Sequence, residues 1–221
     1  MENQTTQSTF RVGILQCDEV RESFRADHGD YDEMLVRGLR RADPALTYQV
    51  FRVFENELPE DVRVCDGWIT SGSRYSVNDE NDWTSALCRF VQALGVESRP
   101  YVGICYGMQT MVTQLGGRVE TAPKREYGFA RIAVKGQPGL LQDPGQTENV
   151  SFGELDVWMS HGDRVVELPP GFQIIASSDN APMAAIADYD RQFFGLQFHP
   201  EVTHTPQGHK ILQRFLAEFC G

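Results

Sequence analysis

Two kinds of hydrophobic pattern alternate through the first half of the chain. Four short runs are apolar at nearly every position: Val12-Gly13-Ile14-Leu15, Tyr48-Gln49-Val50-Phe51, Gly67-Trp68-Ile69-Thr70 and Tyr101-Val102-Gly103-Ile104. Continuous runs of this length predict strands buried on both faces of a parallel sheet. Between them, apolar residues return every three or four positions. Met34, Leu35 and Leu39 mark one helix, beginning near the acidic residues Asp30 and Asp32. Trp83, Leu87, Phe90, Val91 and Leu94 mark a second, with Asp82 as its N-cap and Gly95 just past its end. Met108, Met111, Val112 and Leu115 mark a third that stops at Gly116-Gly117. Strand and helix in alternation predict an α/β fold with a doubly wound, mostly parallel central sheet flanked by helices.

From about Ala130 the pattern changes. Residues 131–135, 155–159, 173–177, 183–187 and 193–198 read as strands with few helices between them, which predicts a smaller antiparallel extension of the sheet. Residues 136–153, rich in Gly, Pro, Gln and Asp, read as a surface loop. The segment from Pro206 to Cys220 carries its apolar residues on one helical face (Ile211, Leu212, Phe215, Leu216, Phe219), with Thr205 placed to cap it. At 221 residues the chain fits a single domain over 10–221, preceded by a polar, flexible leader at 1–9.

Composition narrows the function classes. Twenty basic against thirty-one acidic residues give a net charge of −11, a poor match to a phosphate backbone, so nucleic acid is not an expected partner. No apolar run approaches the roughly 18 residues of a membrane span, and the N-terminus lacks the basic and apolar regions of a signal peptide. Five cysteines, at 17, 65, 88, 105 and 220, include no CxxC pair; the expected setting is a reducing cytoplasm.

One of those cysteines stands apart. Gly103-Ile104-Cys105-Tyr106-Gly107-Met108-Gln109 places Cys105 between two glycines, after a strand-like run and before a helix-like one. A strand-turn-helix junction of this kind pushes the side chain at the turn into the open at the sheet's C-terminal edge. The amides of the following helix favour its thiolate. The competing reading is a small buried packing residue, the commonest fate of a free cysteine. A nucleophilic cysteine needs a base and a group to orient that base. His199, in Gly195-Leu196-Gln197-Phe198-His199-Pro200-Glu201, ends a predicted strand, and Glu201 lies within reach of its ring. An isolated His-Pro-Glu could equally be a solvated loop. His199, His204 and His209 recur every five residues, which suits neither a helical face nor a zinc site, so no metal is expected.

Taken together, the elbow and the His-Pro-Glu resemble the class I (triad) glutamine amidotransferases, with their GxCxGxQ elbow and later HPE. From about residue 98 to 220 the chain is similar to the amidotransferase domain of GMP synthetases. The resemblance rests on Cys105 to Gln109, Leu115-Gly116-Gly117, Arg125-Glu126-Tyr127-Gly128, Trp158-Met159-Ser160-His161-Gly162-Asp163 and Gln197 to Thr205. It implies a flavodoxin-like fold, no cofactor, glutamine or another γ-glutamyl compound as substrate, and a synthetase subunit that accepts ammonia. By the same resemblance Cys105 would be the nucleophile, His199 the base and Glu201 its orienter. Gly72, Ser73 and Tyr106 would form the oxyanion hole, and Gln109, Ser160, His161 and Gly162 would line the substrate pocket.

The match departs in two places. No SGGxDS phosphate-binding loop follows, so adenylation of a nucleotide is not expected of this sequence. Ser73 also stands where the synthetases carry a glycine, in Gly72-Ser73-Arg74, and the first half is closer to stand-alone amidotransferase-like proteins. Two further readings therefore stay open: a stand-alone γ-glutamyl amide or peptide hydrolase with the same triad, and a non-catalytic binding module. Arg74, Tyr75 and residues 121–129 are expected at the pocket mouth, where glutamine and a larger amide would be told apart.

Overall fold

The computed structural model describes residues 10–79, 81–137, 139–143 and 153–220. Its centre is one nine-stranded sheet, ordered β2-β1-β3-β4-β9-β8-β7-β5-β6. Strands β1 (Arg11–Gln16), β2 (Thr47–Arg52), β3 (Gly67–Thr70), β4 (Tyr101–Ile104) and β9 (Phe193–Leu196) run parallel. The remaining four, β5 (Arg118–Val134), β6 (Glu154–Glu167), β7 (Gln173–Ser177) and β8 (Ala185–Asp188), extend it antiparallel. The doubly wound sheet with an antiparallel extension is therefore observed.

Successive side chains of a strand face opposite ways, and this divides the core in two. On one face Val12, Ile14, Ile69, Val102 and Ile104 pack with Leu35 and Leu39 of α2 (Tyr31–Ala42) and Ile211, Leu212 and Phe215 of α5 (Gly208–Phe215). On the other, Leu15, Trp68 and Tyr101 pack with Trp83, Leu87, Phe90 and Leu94 of α3 (Asp82–Val96) and Met108, Met111 and Val112 of α4 (Tyr106–Gln114). The short helix α1 (Glu22–His28) buries none of its residues. A full complement of apolar positions on both faces is why these parallel strands read as unbroken apolar runs.

Four local expectations change. The run at Tyr48 is an edge strand, partly exposed along its length, because among the described residues β2 pairs with β1 alone. Asn81, rather than Asp82, occupies the N-cap of α3, and the helix runs through Gly95 to Val96. Thr205 does not cap the last helix, which starts at Gly208; its hydroxyl instead donates to the His199 carbonyl at 2.6 Å and accepts the Trp158 N–H at 3.0 Å. Within the 136–153 loop, residues 139–141 form a helical turn that buries Leu140 and Leu141; residue 138 and residues 144–152 lie outside the described residues, as does the 1–9 leader.

The strand order reverses between β1's two neighbours. Chain leaving β1 crosses to β2 on one side, and chain leaving β2 returns to β3 on the other. In open α/β sheets the crevice beyond the carboxyl ends of the strands at such a point is where ligands bind.

Candidate active site

Four loops meet at that crevice, each leaving the carboxyl end of a parallel strand: residues 17–21 after β1, 71–76 after β3, Cys105 after β4 and 197–201 after β9. The cleft between them, about 630 Å³, is lined by Cys105, His199, Ser73, Gln109, Ser160, His161 and Gly162, and by Asp18, Arg74 and Arg125. Arg74, Tyr75 and members of the 121–129 segment reach it, as expected for its mouth.

Cys105 has φ 49° and ψ −98°, a left-handed conformation that a residue with a Cβ adopts only when its surroundings impose it. The imposition is visible. Its N–H donates to the Leu196 carbonyl of β9 at 2.7 Å, and its carbonyl accepts the Gln109 N–H at 3.1 Å. The flanking glycines allow the turn to close. A Cβ on Gly103 would lie 2.5 Å from the Gly107 carbonyl, and one on Gly107 would lie 2.7 Å from the Thr70 side chain. Neither glycine is required by a positive φ; Gly103 is required by the backbone packed against it, and Gly107 by the Thr70 side chain and carbonyl. The sulfur contacts the Ser160 carbonyl at 3.7 Å and the Gln197 side-chain amide at 3.6 Å.

His199 is held from both ends. Its N–H donates to the Trp158 carbonyl at 3.0 Å, and its own carbonyl accepts the Thr205 hydroxyl. In the ring, Nδ1 meets Glu201 Oε1 at 2.7 Å, with both side chains almost fully buried. Nε2 has no hydrogen bond of regular geometry among the described residues, nor does Glu201 Oε2. Burial disfavours the charged ring, but the Glu201 carboxylate, together with Cys105, outweighs it and holds the His199 pKa well above the usual histidine range. A buried carboxylate with so few partners is costly unless a cation faces it, which favours the charged form of the ring. Tyr31, the first residue of α2, lies over the imidazole with ring centroids 6.5 Å apart and planes at 26°.

Gly72 packs directly on this pair: a Cβ there would fall 2.7 Å from His199 Cε1 and 3.6 Å from Cys105 Cβ. The turn at 71–74 therefore lies over the thiol, with Ser73 at the cleft wall. Tyr106 N–H belongs to the first turn of α4, whose amides lack partners within the helix. The Tyr106 ring points away, its hydroxyl 2.9 Å from the Thr84 hydroxyl.

The remaining pocket residues are less free than their motif suggests. Gln109 donates its side-chain amide to the Asp163 carbonyl at 3.0 Å and to Gln197 Oε1 at 3.3 Å. His161 faces the Asp163 carbonyl through Nδ1 at 2.9 Å and Glu126 Oε2 through Nε2 at 3.0 Å. Both ring nitrogens are occupied, so His161 braces β6 against β5. Ser160 presents its carbonyl, not its hydroxyl, to the thiol. Sequence reasoning missed Asp18, Tyr31 and the Glu126–His161 pair. Gln197 lies inside the quoted motif and was within reach of it.

Comparison with known proteins gives one consistent answer. The family model "Glutamine amidotransferase class-I" matches residues 26–219. A GMP synthase (glutamine-hydrolyzing) of Azoarcus sp. is 51% identical over 156 residues, covering 70% of this chain and 29% of that protein. The one from Methylobacillus flagellatus is 52% identical over 194 residues, covering 86% of this chain and 35% of that protein. The chain thus spans about a third of the length of these curated relatives. The crystal structure of a glutamine amidotransferase, also from Methylobacillus flagellatus, superposes with a TM-score of 0.68 at 25% identity, covering 87% of this chain and 70% of that one. A family model spanning most of the sequence, on a fold that brings the elbow and the His-Pro-Glu together, identifies this chain as a member of the class I glutamine amidotransferases.

Proposed function

We propose that this chain hydrolyses the γ-amide of glutamine through a γ-glutamyl thioester on Cys105 and passes the ammonia to a synthetase. The observation that carries the reading is the pairing at the elbow: a strained, buried cysteine facing an imidazole whose far nitrogen is fixed by a buried carboxylate at 2.7 Å.

The thiolate of Cys105 attacks the amide carbon, and its C=O π pair moves onto oxygen. The N–H groups of Tyr106 and Ser73, beside Gly72, receive that charge. One such donor is worth about 10²–10³ in rate. Imidazolium Nε2–H of His199 then protonates the departing nitrogen, the C–N bond breaks and ammonia leaves. Neutral His199 next takes a proton from water, the hydroxide attacks the thioester, and the C–S bond breaks to return the thiolate and release glutamate. Glu201 fixes the tautomer and supports the imidazolium in both halves. Gln109, Ser160, His161 and Gly162 form the wall against which the γ-glutamyl group lies, Gln109 and His161 by holding residues 160–163 in place.

The relatives named as glutamine-hydrolysing GMP synthases support a synthetase as the ammonia acceptor over the γ-glutamyl hydrolase and the binding module. One domain over 10–221 suits the continuous sheet. Among the described residues no helix is long and apolar enough to cross a membrane. All five cysteines are unpaired, which favours the cytoplasm. Replacing Cys105 with Ala tests the reaction: release of glutamate from glutamine should vanish while the thermal transition stays within a few degrees. Turnover surviving in that variant would remove the thioester.

A further inference from the structure

The turn Gly72-Ser73-Arg74 departs from the glycine pattern of the synthetases, and the structure supplies what the sequence lacks there. Ser71 is fully buried. Its hydroxyl accepts the Cys17 N–H at 2.9 Å and donates to the Gly72 carbonyl at 2.9 Å. The Gly72–Ser73 peptide is trans, so its N–H points opposite to its carbonyl. With the carbonyl drawn toward the Ser71 hydroxyl, the Ser73 N–H faces away from it, and Ser73 itself lines the cleft.

The next peptide is fixed too. Asp18 is buried and takes three donors from Arg74: the backbone N–H at 2.8 Å, Nε at 2.8 Å and Nη2 at 2.7 Å. Nη2 also reaches the Glu19 carbonyl at 3.1 Å. A peptide held at its carbonyl on one side and at the following N–H on the other cannot rotate without breaking both contacts. The two anchors are Ser71, held by the Cys17 N–H, and Asp18; Cys17 and Asp18 are neighbours in the loop after β1, so a single loop fixes the turn.

We propose that Asp18 is a positioning residue for the oxyanion hole: with Ser71 it locks the Gly72-Ser73-Arg74 turn so that the Ser73 N–H is presented to the tetrahedral intermediate in the isolated chain. Asp18 touches no reacting atom and acts through the turn. The inference rests on the glutamine hydrolysis proposed above.

The test separates turnover from thiol reactivity. Alkylation of Cys105 by iodoacetamide forms no oxyanion, so it reports the thiol and its histidine without the turn. In Asp18→Ala the glutaminase kcat should fall about 10²-fold, as for loss of one oxyanion donor. The KM and the iodoacetamide inactivation rate should stay within about threefold, no more than the net worth of a single weak hydrogen bond. Asp18→Asn keeps an oxygen for the Arg74 N–H and should recover about tenfold of the loss, the worth of one restored hydrogen bond. A wild-type kcat in Asp18→Ala overturns the proposal, and so does a parallel loss of alkylation. Should Asp18→Ala fail to fold, Ser71→Ala reads the other anchor by the same two assays, and undiminished kcat there overturns it equally. Wild-type protein without glutamine turnover would instead sink the glutaminase reading itself.

Discussion

β3 and β4 are four residues long and buried at every position, whereas β5 and β6 run for 17 and 14 residues; β6 alternates between buried and more open positions, and β5 buries only Val119 and Ile132. They belong to one sheet, yet they contribute differently to the site. The short parallel strands end abruptly, and their ends are tightly packed; Cys105 and the 71–74 turn, proposed as nucleophile and oxyanion turn, sit on those ends. The long antiparallel pair supplies a wall, with Ser160, His161 and Arg125 along it. A wall tolerates substitution on its outer face because solvent can take up the change. An elbow packed on its neighbours does not.

Gly103→Val is the severest way to break this contrast. The added Cβ would meet the Gly107 carbonyl carbon and oxygen at 2.5 Å and the Met108 nitrogen at 2.6 Å, all of them backbone. No rotamer relieves a backbone clash, so the cost should exceed about 4 kcal/mol. The expected outcome is loss of folded, soluble protein. A folded Gly103→Val with a normal melting curve would show that the elbow has slack the structure lacks.

Glu201→Gln comes next and touches chemistry rather than packing. Because the folded His199 pKa is raised, the imidazolium–carboxylate pair stabilises the fold fully below pH ~6.5. That contribution is lost as pH rises through the raised value. Removing the carboxylate charge leaves burial to act on the ring, so the His199 pKa falls. Turnover should drop about 10²–10⁴-fold, and the alkaline limb of the pH profile should move to lower pH. An unshifted alkaline limb, measured as kcat/KM across pH, would remove Glu201 from its role.

The elbow and the base were legible in the sequence because each is local. Cys105 sits within a seven-residue motif, and His199 and Glu201 are two residues apart, so each half of the candidate site shows locally, while the link between the halves came from the family resemblance. The apolar runs of β1, β3 and β4 were legible because both faces of those strands are covered. β2 carried the same signal and is an edge, since a run of apolar residues does not state how many neighbours a strand has. Asp18 and Arg74 lie 56 residues apart and meet only through the order β1-β3, which no local pattern encodes. Thr205 failed as a cap for a related reason: its hydroxyl finds the His199 carbonyl and the Trp158 amide, and a tertiary bond displaced a local preference.

The outer face of the antiparallel pair offers the mildest test. Phe129 is 70% exposed, packed edge-on against Trp158 at 5.3 Å and tilted toward His204 at 5.9 Å. It does not line the cleft at Cys105. Phe129→Ala loses one aromatic pair, worth about 0.5–1.5 kcal/mol. For a chain of this size that is a fall in Tm of roughly 1–6 °C. Glutamine turnover should stay at the wild-type value, because the Trp158 carbonyl that receives the His199 N–H belongs to the β6 backbone and not to the ring stack. Should Phe129→Ala instead slow turnover without lowering Tm further, the stack would be holding that carbonyl in place. The wall would then share the rigidity of the elbow it faces, and the division between the two halves of the sheet would have to be redrawn at β6.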